Sequence, residues 1–422
     1  MKLTMMGRIA KASIFSLALG LGLTACSRDY TVAYVYATTA KANPGLIDAY
    51  GVDYQSGALV QLADSPIPAG RNPVAIVSAT SSKTGNQYLF VLNHDDSTVG
   101  SYAVGTDGKL YAENTYNTTG SFPVAAAVDS TGSYLYVAYT YQNAYTTASP
   151  GPGGISIFPI TYSTSGGSES VALGTASNVN IGNSPVGIIA SKYNHFVYVV
   201  DAETPSGASP IGEILGFSEN TSTGALTPLS GVNITSNLQT VTGLPTATGY
   251  TAGVTPSAIA ENPLSTFVYV TDKVSNQLIG YIVQADGSLV AMVNGPFTTG
   301  QYPVAITIDP RGAYLYVANF NASTLSAYAI NTATGTPTNS VGGSTAVGTN
   351  PVGVTIEPAL GIYLFTANQT DGTVSGEQLS PNNGGLKSIQ NTPFPASGLP
   401  TAIVSVVNGE HLTSTSVTTP TN

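Results

Sequence analysis

The sequence predicts one all-β domain, a seven-bladed β-propeller with four antiparallel strands per blade, and three observations predict it. A proline followed by two mostly small residues and a β-branched run recurs at Pro73, Pro123, Pro185, Pro256, Pro303, Pro351 and Pro400, at intervals of 47 to 71 residues. An aromatic alternating segment follows these prolines: YLFVLN from Tyr88, YLYVAY from Tyr134, FVYVVD from Phe196, FVYVTD from Phe267, YLYVAN from Tyr314 and YLFTAN from Tyr363. The composition is that of strands and turns, with 46 Gly, 26 Pro, 25 Tyr, no Trp and only 8% charged residues in 422. A repeat of roughly 50 residues holding several short strands is a blade's length, and each blade needs neighbours to bury its two faces.

The elements follow in chain order. Residues 1–25 carry Lys2, Arg8 and Lys11 ahead of an apolar run from Ala12 to Leu23, too short to span a bilayer comfortably, and read as an export signal. Leu23, Thr24, Ala25 and Cys26 then resemble a bacterial lipobox, with the chain's one cysteine as the lipidation site. The resemblance implies an exported lipoprotein held to a membrane by its lipid, on the periplasmic or cell-surface side of an outer membrane. Residues 26–408 form the propeller and 409–422 a polar C-terminal tail. In each blade the proline opens the first strand, where its missing N–H breaks no ladder bond. Ala or Gly two residues later (Ala75, Ala125, Gly187, Ala258, Ala305, Gly353, Ala402) suits strands crowding round an axis. Turn signals such as DSTG from Asp129 and DPRG from Asp309 lead to the aromatic second strand. A third strand such as STLSAYAI from Ser323 ends in a Gly turn, and a weaker fourth leads to the next proline. Thr31 to Tyr36 reads as a second strand lacking a first, and Pro400 to Val407 as a first lacking a second, so the two are expected to share the seventh blade and close the ring.

Composition also excludes functions. Twelve Lys and Arg against 22 Asp and Glu, a formal charge of −10, cannot supply the basic stripe that nucleic acid requires. A hydrophobic content of 42% is too high for a disordered chain.

Strand order sorts the loops. In a four-strand meander, the loop leading into the first strand and the loop leaving the second lie on one face, the other two turns opposite. The first face receives Arg71, Asn72, His94, Asp95, Asp96, Asp201, Glu203, Asp272, Lys273, Asn319, Asn350 and Asp371, together with long insertions that include Tyr141 to Gly153. Long loops on a rigid ring are where binding usually resides. A small-molecule, glycan or protein ligand is expected there. His195 and Arg311 fall on the opposite face.

The proline-led strands paired with YLYVAN and YVTD strands resemble the seven-bladed lactonase propellers, which include 6-phosphogluconolactonase-like proteins, and the related YVTN-repeat surface propellers. The resemblance implies a lactone hydrolase acting on a sugar lactone. Enzymes of that kind resemble one another in a His or Arg-His after the blade proline and an Asn-Glu pair after the second strand. Here each blade proline is followed by Val, Ser or Thr and then Ala or Gly, and Asn93, Asn319 and Asn368 are followed by His94, Phe320 and Gln369.

Lactone opening needs a base for water and donors for the oxyanion. His94 is the candidate base, Arg71 the candidate cation, and Asp95 or Asp96 the group orienting the imidazole. No cofactor is called for; the acids Asp95, Asp96, Asp201, Glu203, Asp272 and Asp371 offer oxygen ligands for Ca²⁺ as the alternative. Tyr139, Tyr141, Tyr145, Tyr250 and Tyr302 can stack on sugars or peptides, or pack within the sheets. From residues alone, a ligand-binding module and a lactone hydrolase both stand, with binding preferred.

Overall fold

Seven four-stranded antiparallel blades surround one axis in the computed structural model, which describes residues 31–202, 212–229 and 249–409. The residues read as an export signal, Cys26, Glu203 and residues 410–422 lie outside the described residues. Blades 1 to 6 begin at Pro73, Gly120, Pro185, Pro256, Pro303 and Pro351. Blade 7 combines Pro400–Val407 with Thr31–Thr39 and Leu46–Asp53, in the register Tyr34↔Val406, Tyr36↔Val404 and Thr38↔Ala402. The expected closure therefore holds. Among the described residues seven hydrophobic clusters form, one at each border between successive blades.

The first strands crowd the axis, which explains their small residues. A Cβ on Gly187 would stand 3.2 Å from Cγ2 of Ile259 in the next blade, and one on Gly353 would stand 3.1 Å from Ile403. The turn between first and second strands is held by one buried acceptor. Asp129 Oδ1 accepts the N–H groups of Ser133 and Tyr134; Asp309 Oδ1 accepts those of Ala313 and Tyr314. Asn262 and Glu357 do the same work in blades 4 and 6.

The aromatic pair of the second strand latches each blade to its successor. Tyr316 in blade 5 donates its hydroxyl to the carbonyl of Gly384 in blade 6 at 2.9 Å, while Tyr314 lays its ring against the same glycine. The same arrangement joins Tyr34 and Tyr36 to Gly108, Tyr134 and Tyr136 to Gly224, Phe196 and Tyr198 to Gly287, and Phe267 and Tyr269 to Gly335. Tyr363 packs on Gly57 and bonds Tyr54 and Gln55 carbonyls in blade 7. The border between blades 1 and 2 departs from the rule, because Tyr88 donates to the carboxylate of Glu169. Repetition of Tyr-x-Tyr and of a Gly turn is thus one feature written in two places.

Not every buried oxygen in this interior is paired, and Glu377 is a case with a consequence for stability. Glu377 on the third strand of blade 6 is 1% exposed; Oε1 accepts the Ser388 hydroxyl at 3.2 Å, and Oε2 has no partner among the described residues. Burial pushes its carboxyl up to about 7. The folded state therefore holds a proton that the unfolded chain releases near pH 4.5, so this group's contribution to stability falls as pH rises from there to about 7. We expect Glu377→Gln to flatten that slope and to raise stability above pH 7 by up to about 3 kcal/mol. Urea unfolding of both proteins across the range measures it, and an unchanged slope in the variant would refute it.

Candidate functional site

The loop-rich face is ordered by one backbone contact repeated round the ring. The residue just after the second strand donates its N–H to the carbonyl of the residue just before the blade proline. His94 donates to Asn72 at 3.0 Å, Lys273 to Thr255 at 3.0 Å, Phe320 to Tyr302 at 2.8 Å, and Gln369 to Asn350 at 3.0 Å; Ala202 with Ser184 and Ala40 with Leu399 repeat it. These paired positions form the rim of the central channel. Four residues preceding the proline have left-handed backbones: Asn72 (φ 48°), Phe122 (59°), Tyr302 (59°) and Asn350 (57°). Asparagine visits that region readily, whereas a bulky aromatic residue there is an outlier.

His94, Arg71, Asp95 and Asp96 come together as expected, at the lead-in to blade 1. His94 Nδ1 lies 2.7 Å from Asp95 Oδ1, and Asn72 donates to the same oxygen. The hydrogen bond to His94, then that from Asn72, holds the Asp95 carboxyl below its ordinary range. Arg71 is committed to its neighbours: its backbone N–H and Nε bond Asp96, and Nη2 bonds the Asp95 carbonyl. The Asp96 carboxyl is held low, chiefly by the Arg71 backbone N–H. The imidazole stacks on Phe122 with ring centres 4.8 Å apart, and Phe122 meets Tyr141 edge-on at 5.9 Å.

Most of the other acids expected as ligands are structural supports. Asp272 is 1% exposed and accepts the N–H groups of Val254, Thr255, Val274 and Ser275 and the Ser275 hydroxyl. Burial opposes its ionisation, but these donors outweigh it and keep the carboxyl low. Buried Asp201 accepts the Ser184 N–H, and Asp371 accepts that of Thr349. Asn319 is fully buried and donates to Thr324 and Ser326 hydroxyls. Asp201 and Asp272 share a reason: at the end of a second strand, a short side chain reaches the lead-in loop rather than solvent, whereas Asn319 turns to the third strand and exposed Asp371 lies in the turn beyond the second. Among the described residues no group of three or more His, Cys, Asp and Glu is placed to hold a metal ion, so the acids suggested for Ca²⁺ do not converge there. Tyr139 and Tyr250 are core residues.

A second aromatic arc, partly outside the sequence candidates, runs from blade 4 to blade 6. Lys273 Nζ sits 5.7 Å from the centre of the Tyr302 ring, and Tyr302 and Phe320 lie 6.0 Å apart at 54°. Asn350 donates its Nδ2 to the Phe320 carbonyl and accepts the Thr370 hydroxyl. Phe122 and Phe320 were not among the sequence candidates. Aligning the seven repeats at the position before the proline and the position after the second strand would have found both.

The channel beneath this rim is walled by first strands. Its lining is Val74, Ala125, Val186, Gly187, Ile188, Ser257, Ala258, Ile259, Val304, Ala305, Ile306, Val352, Gly353, Val354, Thr401, Ala402 and Ile403, round a cavity of about 250 Å³. Its two hydroxyls are already engaged. Ser257 donates to the Pro303 carbonyl, and Thr401 donates to that of Pro73.

The ring of seven blades with shared terminal strands has relatives. The family model described as lactonase, 7-bladed beta-propeller, matches residues 232–355. A structure described as a candidate 6-phosphogluconolactonase from Bacteroides fragilis superposes with a TM-score of 0.67 at 19% identity, covering 90% of this chain and 99% of that one. The periplasmic gluconolactonase of Pseudomonas aeruginosa gives a TM-score of 0.67 at 17% identity, with 89% and 99% covered. This is a seven-bladed propeller, similar over residues 232–355 to the lactonase family. Kuenenia stuttgartiensis hydrazine synthase also superposes on the ring, with a TM-score of 0.53 at 12% identity over 82% of this chain and 95% of that one, so the architecture alone does not select a chemistry. No curated protein matches this chain by sequence.

Proposed function

We propose that this propeller is a lipid-anchored binding module of the cell envelope, whose loop-rich face receives a small-molecule, glycan or protein ligand. The observation that carries the reading is the channel. Hydrolysis at the axis would need charged or polar groups converging on it, and its walls are aliphatic with both hydroxyls bonded to backbone carbonyls. The aromatic and amide groups of the rim instead suit recognition without turnover.

The anchor fits the geometry. Cys26 precedes Thr31 by five residues, a reach of about 18 Å. Thr31 starts a second strand, which runs from the opposite face towards the loop-rich one. A lipid at Cys26 would hold the opposite face, with His195 and Arg311, near the membrane and leave the binding rim outward.

The alternative is a lactone hydrolase with His94 as base, oriented by Asp95, and Arg71 as the oxyanion's cation. Their proximity and the named activities of the structural neighbours favour it; the engagement of Arg71 with Asp96 counts against it. The test has two arms. Purified mature protein with gluconolactone and 6-phosphogluconolactone is expected to give no hydrolysis above the spontaneous rate. Turnover lost in His94→Ala and Arg71→Ala would overturn the binding reading. In cells, Cys26→Ser is expected to move the protein from the membrane to the soluble fraction, and unchanged membrane association would remove the anchor.

A further inference from the structure

We propose that the rim between blades 4 and 6 binds a sugar ring that carries a carboxylate, with Tyr302 and Phe320 as the stacking platform and Lys273 as its cation. The inference rests on the binding-module reading and names the ligand class for that face.

The platform is built rather than incidental. Tyr302 occupies the position before the blade proline, where two other blades place asparagine, and it does so with φ at 59°. Holding a bulky residue there costs backbone energy that a buried packing role does not explain, because Tyr302 is only half-buried. Phe320 is fixed beside it by its own N–H to the Tyr302 carbonyl, and the tilt of 54° between the rings opens a shallow angle at the channel mouth. Aromatic faces of this kind receive the C–H face of a pyranose.

The polar groups complete the chemistry. Among the described residues no carboxylate pairs with Lys273, whose ammonium is held over the Tyr302 ring; the adjacent Asp272 is turned inward on its five donors. Gln369 stands on the same rim, joined to Asn350 through the backbone, and its amide matches sugar hydroxyls as both donor and acceptor, while the Asn350 amide braces the Phe320 carbonyl. A peptide added as a strand is disfavoured, since the first and second strands at the rim are paired and the closed ring offers no free edge there.

Isothermal titration of the purified mature protein with oligogalacturonate, its methyl ester and monomeric galacturonate tests this. Oligogalacturonate is expected to bind, and the methyl ester about tenfold more weakly, as befits loss of one ion pair's worth of about 1.4 kcal/mol. Tyr302→Asn keeps a residue proven at that backbone position in blades 1 and 6, so folding is preserved; it and Phe320→Ala are expected to weaken binding of the acid and the ester alike by tenfold or more. Lys273→Gln should weaken the acid and leave the ester unchanged. Equal affinity for the monomer would identify a free sugar acid, and tighter binding of the oligomer a polysaccharide; either supports the assignment. Absence of binding by all three probes, or binding indifferent to both aromatic substitutions, overturns it. If that happens while lactones are not turned over, the proposal falls and the binding module stands for another ligand class; lactone turnover would remove the underlying reading itself.

Discussion

Replacing Tyr316 by alanine is expected to destabilise the protein by about 3–5 kcal/mol, the usual cost of deleting a large buried aromatic side chain. Tyr316 is fully buried between blades 5 and 6, and its hydroxyl is the donor to Gly384. Burial keeps the phenol well above its ordinary range, so it stays a neutral donor. Tyr316→Phe separates the two contributions, since it keeps the packed ring and loses only a hydrogen bond worth about 1 kcal/mol. Urea unfolding of the three proteins reads the order directly. A phenylalanine variant as damaged as the alanine one would place the latch in the hydroxyl rather than in the packing.

Gly384→Ala attacks the same latch from its other half. Its φ is 69°, and an added Cβ would stand 2.3 Å from Cδ1 of Tyr314. The left-handed backbone costs about 1–2 kcal/mol in a residue with a Cβ, and overpacking adds about 1–3 kcal/mol. We expect a loss of about 2–5 kcal/mol by the sum of these effects. Gly166 supplies the control, because its φ of 60° is similar and nothing lies within 4 Å of an added Cβ. Its alanine variant should carry only the backbone cost. Similar losses at both sites, measured by the same unfolding assay, would show that the ring contact adds nothing.

Much of this architecture was legible because its causes are local in sequence. Pro73 or Pro303 at a strand start and Ala75 or Gly353 near the axis each report a constraint that a single residue satisfies. The latch was only half legible. Alternation in YLYVAN told that Tyr316 would be buried, but its acceptor, Gly384, reads in sequence as any other turn glycine, since nothing marks which blade a turn will meet. The acids show the same limit at the candidate site. Strand order placed Asp272, Asp201 and Asp371 on the correct face, yet position on a face does not fix side-chain direction, and a carboxylate clamping N–H groups is spelled like one awaiting a ligand. His94 meets Asp95, one of the two acids expected beside it, because adjacent residues in a tight loop have few ways to avoid each other. Phe122 and Phe320 escaped notice because an aromatic residue beside a strand looks like core until its backbone angle or its exposure is known.

The seventh blade differs from the others in one respect: no turn connects its two innermost strands. Hydrogen bonds and side-chain packing, with no short covalent link, hold Pro400–Val407 to Thr31–Thr39, and Asn408 seals the seam by donating to the Thr31 carbonyl across 377 positions of sequence. The strand TVAYVYATT is thus made long before its partner Pro400–Val407 and waits for it on that side. Its inner edge is apolar, β-prone and open throughout synthesis, the kind of edge that recruits wrong partners. A chain cut short before Pro400 would keep that edge permanently, which makes the segment from Pro400 to Val407 the one that decides between a finished disc and an aggregate.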